Sequence, residues 1–534
     1  MNQSWHSARE VVLDETERRR LAELADADRV VAERAAERYG LVVEHPELTL
    51  QRRIRGGVMR RVRATGAPAL AKKVLSRSRR ELWRARGRTI PAETGSATLR
   101  VAPAPETATE GARLLAETTE PYLALLRPGT RLAPGATAAI ERAAGEHPGA
   151  EVFVGDSRRA NGVPTLAPDH SVFRLREIDE LGPVVVLAVA ALRDRGGFRA
   201  EADGAELLDV VLRADPDRVI RLRHDLGIGE PHDLPSGEGA ERAAAVVAAS
   251  LERDAVDADV TAVGGIREVA YRPSGTPMVS IIVPTRGGSD RVAGRERTFV
   301  VEAVRGIVER TTWPDYELVI VADDPTPQSV VDELETIAGD RLRLVRWSEP
   351  FNFSAKMNRG AAVARGEYLL MLNDDVELLT PDWLEQLVGA VQQPGVGLVG
   401  AALYFEDGSI QHLGHRYERG APGHVGFGLT PGALVNPDQL AATREVSGVT
   451  AACALVPARV FAEVGGFSDE FAGNYNDVDL AQKIGDRGLH ILVLGRVKLY
   501  HFESRTRDAK VLPHETDRLQ ARWGRRLQHD RFAR

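Results

Sequence analysis

From residue 278 onward, apolar and polar positions follow two periods in turn. Short apolar runs read as buried strands: VSIIV (279–283), ELVIVA (317–322), LRLVRW (342–347), EYLLML (367–372), VGLVGAALYF (396–405) and VTAACALV (449–456). Between them stand TFVVEAVRGIVERTT, SVVDELETIA, FSAKMNRGAAVAR and PDWLEQLVGAVQQ, whose apolar residues recur at helical spacing. Alternation of this kind predicts an α/β fold with a mostly parallel sheet and helices on both faces. Ligands of such sheets bind beyond the carboxyl ends of the strands. Asp323, Asp324, Asp374 and Asp375 all fall at predicted strand ends.

The chain upstream has a different texture. Residues 1–90 are rich in Ala, Leu, Glu and Arg and predict a helical region. Residues 91–250 return to short strands and alanine-rich helices, 251–276 read as a linker, and 511–534 as a helical tail. The middle region repeats the later one. YLALLRPGTRL (122–132) echoes YLLMLNDDVELL (368–379), and HPGAEVFVGDS (147–157) echoes QPGVGLVGAAL (393–403). GGF recurs at 196–198 and 465–467, followed by GAELLDVVLR (204–213) and NYNDVDLAQK (474–483). Two diverged copies of one domain type are expected, the first without its opening strand–helix units.

Composition narrows the classes. Of 534 residues, 43% are hydrophobic and 28% charged, as in soluble globular chains. The single cysteine, Cys453, excludes an internal disulfide and favours a reducing compartment. The longest apolar stretch, PVVVLAVAAL (183–192), is too short to span a bilayer. The N-terminus lacks the order of a signal peptide, so a cytoplasmic location is expected. The net charge of −7 hides an asymmetry: residues 51–90 hold fourteen Lys/Arg and one acid, Glu81. That segment is either a solvated helical face or a patch that adsorbs to an anionic membrane surface, peripheral on the inner face of the plasma membrane. No pattern supports nucleic-acid binding.

Four motifs carry candidate chemistry. The pair Asp374-Asp375 is either a capping turn or a hard-oxygen site for Mg²⁺ or Mn²⁺ shared with a substrate phosphate. In NYNDVDLAQK, Asp477 and Asp479 open a predicted helix, as caps or with one of them as general base. His501, after the last strand, is structural or a third metal ligand, and Arg505 and Arg507 follow it as phosphate contacts. Residues 404–448 carry His412, His415 and His424 among glycines, and read as a lid or acceptor-binding loop, with a zinc site as the rival. The first strand is followed by VPTRGGSD, neither a dinucleotide fingerprint nor a phosphate loop.

Taken together and in order, VSIIVPTRGG, TTWPDYELVIVADDPTP, PFNFSAKMNRGAAVARGEYLLMLNDDVELLTPDWLEQLV, GSIQHLGH, GHVGFGL, VSGVTAACALVPARVFAEVGGF, NDVDLAQKIGDRG and HFES resemble the family 2 inverting glycosyltransferases of the GT-A fold. The likeness runs from Pro277 to about Arg507 and is nearest the bacterial cell-surface polysaccharide, rhamnosyltransferase-like branch. It implies a GT-A domain, a Rossmann-like nucleotide-diphospho-sugar transferase, over 277–510, preceded by a degenerate partial copy. It implies that Thr285 and Asp323, with Asp324, hold the nucleotide. Asn373, Asp374 and Asp375 match the metal and diphosphate motif, with Asp375 the direct ligand. Asp477 matches the catalytic base and His501 a histidine of the metal–diphosphate group. His412, His424 and Asp479 remain acceptor-loop candidates. In the first copy Arg127-Pro128-Gly129 and Leu207 replace the metal motif and the base.

The expected activity is metal-dependent transfer of a sugar from a nucleotide-diphospho-sugar to a glycan or lipid-linked glycan hydroxyl. The rivals are a catalytically dead scaffold of an assembly complex and a nucleotidyltransferase. The latter calls for a Gly-rich basic loop, of which Arg286-Gly287-Gly288 is a faint echo.

Overall fold

The computed structural model describes residues 10–41, 96–202, 204–229, 235–292, 294–433, 437–502 and 511–532. The basic segment 51–90, Arg505 and Arg507 lie outside the described residues. Two compact units result. Among the described residues, one comprises 10–41, 171–179 and those from 235 on; the other, 96–170 and those between 180 and 229.

The larger unit is built on a ten-stranded mixed sheet. Its main path runs Leu342–Trp347, Tyr316–Asp323, Val279–Thr285, Tyr368–Leu372, Cys453–Pro457, Val396–Tyr404, His490–His501 and Val376–Leu378, with Ile410–His412 added on Val396–Tyr404 and Thr443–Glu445 on His490–His501. The first four strands are mutually parallel, as their apolar runs and intervening helices predicted. Cys453–Pro457 runs against both neighbours, while Val396–Tyr404 and His490–His501 are parallel again. The strand interiors are sealed: Ile281, Val283, Leu318, Ile320, Leu370, Leu372 and Val399 expose no surface. Each such side chain contributes on the order of 1.5–3 kcal/mol through burial. The helix Phe353–Val363 lies close on this sheet because Gly360 lets it; a Cβ there would stand 2.4 Å from a methyl of Ile282.

Segments read as flanking regions belong to this unit. The N-terminal helix Glu15–Tyr39 starts with a capping box at Asp14 and Glu17. It buries Leu24 in the main core and Ala35 beside Trp523 of the C-terminal helix Pro513–Trp523. Residues 251–276 are not a plain linker: Ala258–Val263 and Ile266–Tyr271 form a β-hairpin after the helix Glu238–Arg253. The alternation of VTAV and REVAY around Gly264-Gly265 carries that hairpin. The short helix Val172–Glu177 docks through Glu177, which receives both ends of the Arg496 guanidinium at 2.8 and 3.0 Å and the Thr443 amide. Arg267, almost fully buried, donates to the carbonyls of Leu175 and Arg176 at that helix's C-terminus. The units therefore do not divide the chain at residue 250. No helix among the described residues is long and apolar enough to cross a membrane.

The smaller unit repeats the connectivity of the larger. Its sheet runs Leu99–Pro103, Tyr122–Leu126, Val184–Ala188, Val152–Arg158, Val219–Ile228, Arg131–Leu132. The pairings go parallel, antiparallel, antiparallel, parallel, antiparallel. The same series links Val279–Thr285, Tyr368–Leu372, Cys453–Pro457, Val396–Tyr404, His490–His501 and Val376–Leu378. The first copy thus retains one opening strand. Among the described residues it has no counterpart of Tyr316–Asp323 or Leu342–Trp347, because the helix Ala108–Glu117 leads straight into Tyr122–Leu126.

Candidate functional site

A cavity of about 500 Å³ opens beyond the carboxyl ends of the parallel strands in the larger unit. Thr285, Asp323, Asn373, Asp374, Asp375, His424, Asp477 and His501 all line it. Residues brought together from more than two hundred positions of chain therefore face one space.

The acidic pair follows the strand Tyr368–Leu372 and precedes the short strand Val376–Leu378. Neither carboxylate caps a helix; the next one begins at Trp383. The capping alternative therefore falls away. Thr285, at the end of the adjacent strand, donates its hydroxyl to Asp374 Oδ2 at 2.6 Å and accepts the Gly287 amide at 3.0 Å. Burial, reinforced by the charge of Asp375, pushes the Asp374 carboxyl up to about 7.

His501 closes the set from the end of His490–His501. Its Nδ1 is 2.7 Å from Gln411 Oε1, and the Gln411 amide nitrogen donates to the His501 carbonyl at 3.2 Å. That second bond fixes which end of the amide faces the ring. Nδ1 must then carry the proton, and Nε2 keeps its lone pair. Nε2 accepts from the Asn373 amide at 3.0 Å and stands 3.2 Å from Asp375 Oδ1. A lone pair facing a carboxylate, with the far ring nitrogen held by an outer partner, is the donor chemistry of a divalent cation site. The residues fit Mg²⁺ or Mn²⁺.

At one end of the cavity Lys356, buried on the helix Phe353–Val363, forms an ion pair with Asp323. Its ammonium lies 5.5 Å from the ring of Phe351, which is 54% exposed and so presents an aromatic surface to the space. Asp324, by contrast, is exposed and does not line the cavity; its amide donates to the Trp347 carbonyl.

Also lining the cavity, the helix Asn476–Asp486 begins after Tyr475, whose φ of 64° is left-handed and unusual for an aromatic residue. Asp477 lies in its first turn, with the Val478 amide, His415 and Thr450 as partners. Oδ1 accepts the Val478 amide at 2.8 Å, and Oδ2 lies 3.6 Å from His415 Nε2. Burial alone would push this carboxyl up, but His415 outweighs it and holds Asp477 at about 2, fully ionised. Asp479 points elsewhere. It is fully buried and accepts from Arg522 at 2.8 Å and Trp523 Nε1 at 2.7 Å, with Lys483 at 3.4 Å. The smaller unit supports that division of labour: at the aligned positions Leu207 has replaced the first acid, while Asp209 stays buried between Arg199 and Arg213.

The stretch 404–448 is ordered where described. Ile410–His412 pairs with the edge of Val396–Tyr404, and His415–Glu418 forms a hairpin with Ala421–His424. Arg419 and Gly420, at φ 51° and 76°, make its two-residue turn. His415 and His424 are register partners across this hairpin. Gly448 makes room for them: a Cβ there would lie 2.5 Å from His415 Nδ1. His412 sits behind the wall, off the cavity lining.

Sequence reading placed His415 only within the 404–448 loop and assigned no role to Lys356, Gln411 or Phe351. A lysine in the apolar stretch FSAKMNRGAAV and the i, i+3 histidines of QHLGH were the available signals.

Residues 280–463 match the family described as Glycosyl transferase family 2. The chain is 32% identical over 370 residues to the O-antigen biosynthesis protein RfbC of Myxococcus xanthus, covering 67% of this chain and 28% of that protein. It is 30% identical over 433 residues to the uncharacterized protein y4gI of Sinorhizobium fredii, covering 75% and 47%. The chain thus spans less than half the length of either curated relative. Among solved structures, GalNAc-T7 with UDP, GalNAc and Mn²⁺ aligns over 45% of each chain at 13% identity and a TM-score of 0.35. The mannosyltransferase PcManGT of Pyrobaculum calidifontis, with GDP-Man and Mn²⁺, aligns over 47% of this chain and 70% of its own at 19% identity and 0.33.

Proposed function

We propose, from the match of residues 280–463 to Glycosyl transferase family 2, that this is a GT-A-type domain whose cavity transfers a sugar from a nucleotide-diphospho-sugar to a glycan or lipid-linked glycan hydroxyl, with inversion. The observation that carries this reading is the convergence on one cavity of the Asp374–Asp375–His501 set and the ionised Asp477. The name of the Myxococcus xanthus relative supports a place in cell-surface polysaccharide biosynthesis.

Each wall has its task. Phe351 offers a face for the nucleotide base, with Asp323 and Lys356 beside it for polar contacts. Asp375 and His501 would hold Mg²⁺ or Mn²⁺, with Asp374 oriented by Thr285; such a cation would supply neutralisation of the charge on the departing diphosphate. Asp477 Oδ2 accepts the proton of the acceptor hydroxyl as its oxygen bonds to the anomeric carbon. The bond from that carbon to the diphosphate breaks on the opposite face, and its electron pair leaves with the diphosphate. The basic stretch 51–90 brings the protein to anionic lipid, where a lipid-linked acceptor resides. The smaller unit, without the acid pair and base, has a scaffolding or acceptor-positioning role.

Asp477→Asn is the decisive variant. It keeps the side-chain oxygen that receives the Val478 amide and removes the proton acceptor. Transfer is expected to fall about 10²–10⁴-fold, with nucleotide-sugar binding retained in a thermal-shift screen. Transfer near the wild-type rate would overturn the assignment.

A further inference from the structure

Three imidazoles crowd the wall beside Asp477. Ring nitrogens of His412, His415 and His424 lie within 4.8 Å of one another. Such a trio suggests a cation site, but the hydrogen bonds assign it other chemistry. The Thr450 main-chain amide donates to His412 Nε2 at 3.1 Å. An amide N–H can only donate, so this nitrogen carries a lone pair and the proton of neutral His412 is on Nδ1. His412 Nδ1 stands 2.7 Å from His424 Nδ1, which must therefore accept. Both nitrogens of His412 are then engaged, and a cation could use it only by breaking one of those bonds. The remaining proton of neutral His424 is fixed on Nε2.

His424 lines the cavity and is exposed to it, whereas His412 lies behind it. The enclosing wall desolvates the ring although the residue as a whole keeps exposed surface, and with His415 nearby this draws His424 down to about 4; the neutral ring makes its Nε2–H a donor, not a base. Its cross-strand partner His415 stands against Asp477. A donor and a proton acceptor thus share one wall of the cavity.

We propose that His424 Nε2–H donates to an oxygen of the acceptor glycan next to the hydroxyl that Asp477 deprotonates, its direction imposed by the Thr450 amide through His412. This rests on the transferase reading of the cavity. The acceptor class is a glycoside with an oxygen adjacent to the reacting hydroxyl. His424 is a binding and orienting group, and His412 a positioning residue.

The test uses the full chain with ¹⁵N-labelled histidine, and methyl glycosides of glucose, galactose, mannose and rhamnose as probes. His424 signals are identified by their loss in His424→Gln. The expected result is a neutral His424 protonated at Nε2, with that nitrogen shifting on titration with at least one glycoside. His412→Phe removes the directing donor; His424 then becomes a tautomer mixture and the glycoside binds at least tenfold more weakly. His412→Asn, whose amide can still donate, restores the tautomer and the binding, which separates a directing role from a folding defect. A His424 proton on Nδ1, a stoichiometric metal on the trio, unchanged binding in His412→Phe, or no response to any glycoside would each overturn the proposal. Failure of the transferase reading looks different: transfer would be indifferent to Asp477→Asn while the His424 tautomer stood as stated.

Discussion

Asp477 and Asp479 are two residues apart on one helix, and the structure separates chemistry from packing between them. The informative perturbation is Asp479→Asn. The native carboxylate exposes no surface and meets Arg522 at 2.8 Å, Trp523 at 2.7 Å and Lys483 at 3.4 Å. Lys483 is itself fully buried, and Arg522 nearly so. Removing one partner of a buried pair costs about 3–5 kcal/mol, since the cation left behind has lost its water and its counter-charge. Here Asp28 remains 2.9 Å from Lys483 and Glu470 remains 2.9 Å from Arg522, so each cation keeps one partner. The lower end of that range applies, about 3 kcal/mol or roughly 150-fold in the unfolding equilibrium. Urea unfolding of the full chain, followed by pulse proteolysis of the larger unit, measures it. Transfer per folded molecule should stay within about threefold of wild type, since Asp479 does not line the cavity. A stability loss below about 1 kcal/mol together with lost transfer would refute the argument, because the second carboxylate would then be acting in the chemistry.

Three further outcomes follow from the same geometry. Gln411→Leu removes the partner that keeps His501 Nε2 unprotonated, and should weaken divalent-cation affinity about 10–100-fold in a metal titration; an unchanged affinity would dissociate His501 from the cation. Asp477 is held at about 2 against an ordinary 3.8, so it binds fewer protons folded than unfolded. Its stabilisation, about 2 kcal/mol, is complete above pH ~4 and lost as pH falls toward ~2. His415→Leu should flatten that part of the acid-unfolding curve, and an identical curve would show that His415 is not the cause. Phe351→Ala should raise the nucleotide-sugar KM about five- to tenfold with little change in kcat, through loss of roughly 1 kcal/mol or more of base stacking; a pure kcat effect would remove it from the nucleotide site.

The sequence by itself determined much of this protein. Apolar runs such as VSIIV and ELVIVA can be little other than buried parallel strands, so the α/β class and the acids at the strand ends were legible. The internal echo was legible too, because a repeated strand without Asp374 and Asp375 shows that the acids are not needed to form it. Local spacing could not say which of Asp477 and Asp479 faces the cavity. Both lie in the first turns of one helix, and only the position of Arg522, some forty residues on, decides that Asp479 is sequestered. Nor could it orient a histidine. The lone pair of His501 is set by Gln411 and the proton of His424 by a main-chain amide at Thr450, each a partner distant in sequence. Which residues are strands is fixed by local periodicity; which nitrogen holds a proton is fixed by whichever distant group the fold brings within 3 Å of it.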